Sequence, residues 1–204
     1  MKKLSSTLSN MVLSLGVITI VAASLLAWVH DVTQEPIAEA VKQKQIDAIK
    51  AVAPEFTNNP VADKWEHTPE GMSEPFVVFP AYDGGRFCGA AVEGYSLNGF
   101  SGRVGVMYGF DADGNVTGYE VLQHSETPGL GAKMQEWFRM DAGKRSVIDR
   151  NPGSDAMYVA KDGGAIDGIT AATISSRAFL ETLRNCYSVF EAYKSDYLNS
   201  KDNE

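Results

Sequence analysis

The first apolar stretch of the chain shows no period. From Leu4 to Val29 no charged residue occurs, a run of 26 residues. At 1.5 Å per residue in a helix this exceeds the roughly 30 Å hydrocarbon core of a bilayer. A secretory h-region is shorter, roughly 7–15 residues. Ala22, Ala23, Ser24 and Ala27 nevertheless resemble a cleavage site. A retained anchor and a cleaved signal are thus the two readings, and length favours the anchor. Residues 33–53 read as a helix opened by Thr33 or Gln34, with Pro36 in its first turn and Pro54 ending it. Ile37, Val41, Ala48 and Val52 fall on one side, with Ile46 and Ile49 beside them, so this helix is expected to leave the membrane and pack on the domain that follows. Residues 54–75, rich in Pro, Asn and Glu, read as an irregular connector.

β-type runs take over at residues 76–80, 86–95, 102–110 and 116–124, with a later one at 156–160. Asp83-Gly84, Asp113-Gly114 and Asp162-Gly163 punctuate them as hairpin turns. Residues 129–140 look like a short helix after Pro128. From about Thr173 the period becomes helical: Phe179, Leu183, Cys186, Phe190, Tyr193 and Tyr197 are spaced 4, 3, 4, 3 and 4. Consecutive strands with flanking helices predict an α+β domain, an antiparallel sheet with packed helices, behind a transmembrane helix. The expected divisions are a membrane anchor at 1–30, a juxtamembrane helix and connector at 31–75, and the globular domain at 76–204.

Charge adds orientation and removes one class of partner. Lys2 and Lys3 precede the apolar run, and the first charges after it are Asp31, Glu35 and Glu39, so the N-terminus is expected in the cytoplasm and the domain outside it. With 26 acidic against 18 basic residues and a net charge of −8, no basic stripe exists to neutralise phosphates, and nucleic-acid binding is not expected. The two cysteines, Cys88 and Cys186, form no metal-type cluster. Outside the cytoplasm they could pair; otherwise they are two buried, inert thiols. "DADGN" at 111–115 lacks the later glycine and glutamate of a calcium loop and reads as a turn.

Two segments carry candidate chemistry. In "HSETPGLGAKM", residues 124–134, Gly129 and Gly131 would let backbone approach a ligand, and the helix start could bind an anion or a flavin carbonyl; a plain strand-to-helix turn explains the same residues. In "DGITAATISSR", residues 167–177, Thr170 or Thr173 is a plausible helix N-cap. A hydroxyl there is also well placed to carry a phosphate, because free N–H groups and the helix dipole favour negative charge. Arg177, one turn on, could add a fork of donors, and the small Ala171 and Ala172 leave Thr173 accessible to a modifying enzyme.

The anchor, the run from Gly99 to Met134 and "DGITAATISSRAF" together resemble the FMN-binding G subunit of the Rnf electron-transport complex and, by homology, the C subunit of the sodium-pumping NADH:quinone reductase. The resemblance covers residues 76–190 and the membrane span. It implies a single-pass subunit of a bacterial or archaeal cytoplasmic membrane, carrying FMN as a phosphoester on a threonine, installed from FAD by a flavin transferase. Such a subunit relays electrons among the other membrane subunits of a ferredoxin:NAD+ oxidoreductase coupled to Na+ or H+ translocation and is not catalytic alone. The implied acceptor is Thr173, within a transferase signal of Asp167, Thr170, Ala172 and Thr173; the family usually has Gly where this chain has Ala171. Glu126, Thr127, Leu130 and Gly131, with Lys133, are implied to border the isoalloxazine ring. Thr170, Ala172, Ser175 and Ser176 are implied to lie near the phosphate or ribityl chain. A non-redox, membrane-tethered binding or assembly domain, with the threonine-rich motif a mere cap, is the reading from a different class.

Overall fold

The computed structural model describes residues 7–201, and Lys2 and Lys3 lie outside the described residues. The chain divides into two compact units, one ending at Lys44 and one starting at Gln45. The first unit is helical. Helix α1 (Leu8–Val52) has no break near residue 30, and Pro36 lies inside it rather than in a first turn. Thr33, the expected start, donates its hydroxyl back to the carbonyl of Val29 at 2.8 Å instead of capping a new helix. A proline removes one backbone bond, and the helix-forming Ala38, Glu39 and Ala40 that follow keep the remaining turns intact. Ile37 and Val41, expected on the packed side, are exposed. Among the described residues, α1 is the one helix long and apolar enough to cross a membrane.

The second unit is built on a five-stranded antiparallel meander of order β1-β2-β3-β4-β5. Its strands are β1 (Trp65–His67), β2 (Phe76–Asp83), β3 (Arg86–Gly99), β4 (Gly102–Asp111) and β5 (Val116–His124). Gly84 and Gly85, at φ 55° and 83°, make the two-residue turn that brings Asp83 opposite Arg86. Asp111 accepts the N–H groups of Asp113 and Asn115 on Oδ1, which closes the β4–β5 turn.

Alternation along the strands sorts the core into two layers. Val78, Ala90, Val92, Val106 and Tyr108 face α3 (Thr173–Lys201), which buries Phe179, Leu180, Leu183, Cys186 and Phe190 against β2, β3 and β4. Phe79, Ala91 and Met107 face the other way and are covered by Ala48, Ile49 and Val52, the last turns of α1. Gly109 permits this second layer, since a Cβ there would run into the Val52 carbonyl oxygen. That same carbonyl accepts the Thr117 hydroxyl at 2.5 Å.

Three expectations change. β1 forms within the supposed connector, pairing Trp65 with Val78. Residues 156–160 are not a strand: Met157 and Val159 are buried, but Val159 bridges only Ile166, and Ala160–Asp162 is a 3-10 turn. Asp162-Gly163 accordingly ends that turn, with Gly163 at φ 82°, and makes no hairpin. The cysteines do not pair. Cys186 is a free thiol buried on the sheet-facing side of α3, its pKa pushed well up by loss of solvation, and Cys88 is free and half-buried.

The segment after β5 is short and tightly held. A 3-10 turn (Gly131–Lys133) leads into α2 (Met134–Trp137). Tyr119 on β5 donates its hydroxyl to the Met134 carbonyl at 2.9 Å. Tyr108 on β4 donates to the Phe179 carbonyl at 2.8 Å, and Phe138 stacks on Phe179 at 4.3 Å between ring centroids. Burying Phe179 contributes roughly 1.5–3 kcal/mol. It also fixes the first turns of α3 against the sheet and against α2.

Candidate functional site

The two segments singled out in the sequence meet at the start of α3. The turn entering it, residues 169–172, is closed from within the helix. Ser176 accepts the Ile169 N–H at 2.9 Å and donates its hydroxyl to the Ala172 carbonyl at 2.9 Å, while the Ala172 N–H reaches Ile169 O at 3.0 Å. Neither threonine is the cap. Thr173 is the first helical residue, and Ala172 occupies the cap position with no side-chain acceptor. Among the described residues no acceptor meets the N–H groups of Thr173, Ile174 or Ser175. These free donors and the helix dipole leave a positive end beside the Thr173 hydroxyl. Ala171 stands at φ 62°, in the left-handed region that glycine adopts readily and alanine resists, which accords with the glycine that the resemblance implies at this place.

Thr173 and Ala171 line two cavities at once. One, of about 400 Å³, is bordered by Trp137, Arg145, Lys161, Asp167 and Thr170. The other, of about 320 Å³, is bordered by Phe100, Thr127, Leu130, Gly131, Ala172 and Ile174 and carries no charged side chain. Thr173 is half-buried and Thr170 exposed.

The remaining candidates divide. Thr127, Leu130 and Gly131 reach the apolar cavity, and Asp167 and Thr170 the polar one. Glu126 and Lys133 line neither. Glu126 is buried, 4% exposed, and points inward. Its carboxylate accepts the Ser175 hydroxyl at 2.6 Å and the Ser101 N–H at 3.1 Å, tying together α3, the β3–β4 turn and the segment after β5. Gly131 allows this approach, since a Cβ there would lie 2.5 Å from Glu126 Oε2. Ser175 and Ser176 are both spent on internal bonds. Asp167 accepts the Lys144 N–H at 3.1 Å on its carboxylate and the Trp137 indole N–H at 2.9 Å on its carbonyl.

Arg177 does not aim its fork at the Thr173 hydroxyl. Its Nε and Nη2 each lie 2.7 Å from an Asp162 carboxylate oxygen, and this pairing holds the Asp162 carboxyl below the ordinary range. The cation beside Thr173 is instead Lys161, whose Nζ lies 3.4 Å from Thr173 Oγ1. No motif in the sequence marks Lys161, Arg145, Trp137 or Phe100 as site residues. Lys161 sits in the stretch expected to be a hairpin, and the others fall outside both candidate segments.

The arrangement suits a ligand with an anionic arm and a flat apolar head. Thr173 offers an accessible hydroxyl, the start of α3 offers N–H donors, and an uncharged cavity opens beside them. A flavin mononucleotide has this division of chemistry, so the residues present fit the group that the resemblance implies.

Comparison with known proteins agrees with the geometry. Residues 99–188, which hold Thr173 and every residue bordering either cavity, match the family model of the FMN-binding domain. Residues 1–52 match that of the RnfG N-terminal region. The chain is 34% identical over 195 residues to the G subunit of the ion-translocating oxidoreductase complex of Cereibacter sphaeroides, covering 91% of this chain and 85% of that one. It is 28% identical over 204 residues to the corresponding G subunit of Aliivibrio fischeri strain MJ11, covering 95% of each. With that of Yersinia pestis it shares 31% identity over 172 residues, covering 80% and 81%. With these relatives along nearly its whole length, and an FMN-binding domain enclosing the Thr173 turn, the chain belongs to the RnfG family, the G subunits of the ion-translocating oxidoreductase complex.

Proposed function

We propose that this chain is a membrane-anchored redox subunit that carries one FMN as a phosphoester on Thr173. It relays electrons among the other subunits of an Rnf-type ferredoxin:NAD+ oxidoreductase coupled to Na+ or H+ translocation. The observation that carries the reading is the position of Thr173, a half-buried hydroxyl on the first residue of an uncapped helix, between a polar and an apolar cavity. Ser175 and Ser176 are occupied, which leaves Thr170 as the competing hydroxyl, and Thr170 lines only the polar cavity.

In maturation by a flavin transferase, Thr173 Oγ1 bonds to the flavin-side phosphorus of FAD. The pyrophosphate P–O bond breaks, AMP leaves and the hydroxyl proton is given up. The flavin, once bound, supplies reversible electron transfer. The protein's part is position. The N–H groups at the start of α3 would hold the phosphate, while Phe100, Leu130 and Ile174 would offer apolar surface to the ring. Helix α1 anchors the chain, with the N-terminus in the cytoplasm and the domain on the far side of the membrane.

The test is the intact mass of the full-length chain made together with a flavin transferase. Wild-type protein should gain the mass of one FMN less one water, with peptide mass mapping placing the addition on Thr173 and not on Thr170, and Thr173→Ala should lose it. Unmodified wild-type protein, or a Thr173→Ala chain that still carries the addition, would overturn the reading.

A further inference from the structure

We propose that Lys161 and Arg145 form the cationic seat of the phosphate arm, so that the polar cavity holds the phosphoribityl part and the apolar cavity is left to the ring. This rests on the reading of Thr173 as the site of attachment and assigns roles to two residues outside both threonine- and glycine-rich motifs.

Lys161 has the geometry. Its ammonium reaches Thr173 Oγ1 at 3.4 Å, and its backbone is fixed one residue away by the two 2.7 Å bonds between Asp162 and Arg177. That pairing has a second effect. It consumes Asp162, the acid nearest in sequence, and leaves the lysine for another anion. Arg145 lies on the same cavity with its guanidinium 4.0 Å from the Trp137 ring centroid, and one N–H reaches Met140 Sδ at 4.0 Å. Among the described residues neither cation pairs with a carboxylate. Stacking occupies a face of the guanidinium and leaves donors at its edge.

Charge balance points the same way. The ionisable residues lining the polar cavity are Arg145, Lys161 and Asp167, two cations against one carboxylate. The excess of one positive charge matches the single negative charge of a phosphodiester. The apolar cavity has no ionisable lining at all, so an anionic arm placed there would lose hydration without a partner.

The experiment loads the full-length chain in detergent with purified flavin transferase and FAD. It follows intact mass over time, then records the phosphorus NMR resonance of the loaded protein. Lys161→Met should slow loading about tenfold, as loss of a charge-assisted contact would. Its loaded form should show a displaced resonance. Arg145→Met should displace the resonance as well, and Lys161→Arg should stay close to wild type in both measurements. Neither Lys161 nor Arg145 is a core residue, so the variants should fold. A loaded Lys161→Met chain with the wild-type resonance would overturn the assignment whatever its loading rate, because the lysine would then serve only recognition by the transferase. Wild-type protein that gains no flavin mass would instead overturn the reading of Thr173 itself.

Discussion

Ala171→Gly should stabilise the protein. Ala171 is held at φ 62° at the entry to α3, where its neighbours are locked by Ser176. An L-residue in the left-handed region costs roughly 1–2 kcal/mol. Glycine removes that cost but widens the unfolded ensemble, which takes back roughly 0.4–1 kcal/mol. The net gain is about 0.5–1 kcal/mol, or a rise in Tm of about 1–4 °C for a domain of this size. Thermal and urea unfolding of the flavin-free chain in detergent reads it. Tryptophan fluorescence is a suitable signal, because Trp137 donates to the Asp167 carbonyl close to this turn. Ala171→Val should move the midpoint the other way, since a branched Cβ is worse still in this region. An Ala171→Gly chain that melts at or below the wild-type temperature would refute the claim that this backbone is strained.

Two further outcomes follow from close approaches. Glu126→Gln should lower stability by about 1 kcal/mol, because the amide can keep both bonds, its oxygen on the Ser101 N–H and its Nε2 donating to the Ser175 hydroxyl, but loses their charge assistance; urea midpoints measure this. If the variant instead keeps its stability and alters the visible spectrum of the bound flavin, Glu126 touches the ring after all. Gly109→Ala should cost at least about 2 kcal/mol, since the new methyl meets a backbone carbonyl rather than a flexible side chain. Wild-type stability in that variant would refute the close seating of Val52 on β4.

Much of the fold is legible in the sequence because the meander obeys local rules. The four long strands are runs of β-type residues, and the turn read at Asp83-Gly84 announces itself by composition, though the structure sets its two loop residues one place later, at Gly84-Gly85. The stripe from Phe179 to Tyr197 marks α3 for the same reason. The failures share a cause, which is that partners distant in sequence decide them. Trp65–His67 becomes a strand only because β2 offers an edge. Met157 and Val159 alternate like a strand, yet their backbone finds no strand to pair with. At the site, Thr173 is legible as a hydroxyl beside a helix start. The inward turn of Glu126 is not, because the carboxylate answers to Ser101 and Ser175 on other elements. Lys161 gains its place only when the turn carrying it folds against α3.

The covering of Phe79, Ala91 and Met107 by Ala48, Ile49 and Val52 bears on where this protein can be cut. A water-soluble version cannot start at the first long strand. Severed after Thr57, the sheet would present one bare oily face to water and tend to clump. A piece beginning at or before Gln45 takes its own lid along. The eight residues Gln45–Val52 are, in sequence, the tail of the long helix, and in the fold the back wall of the second unit.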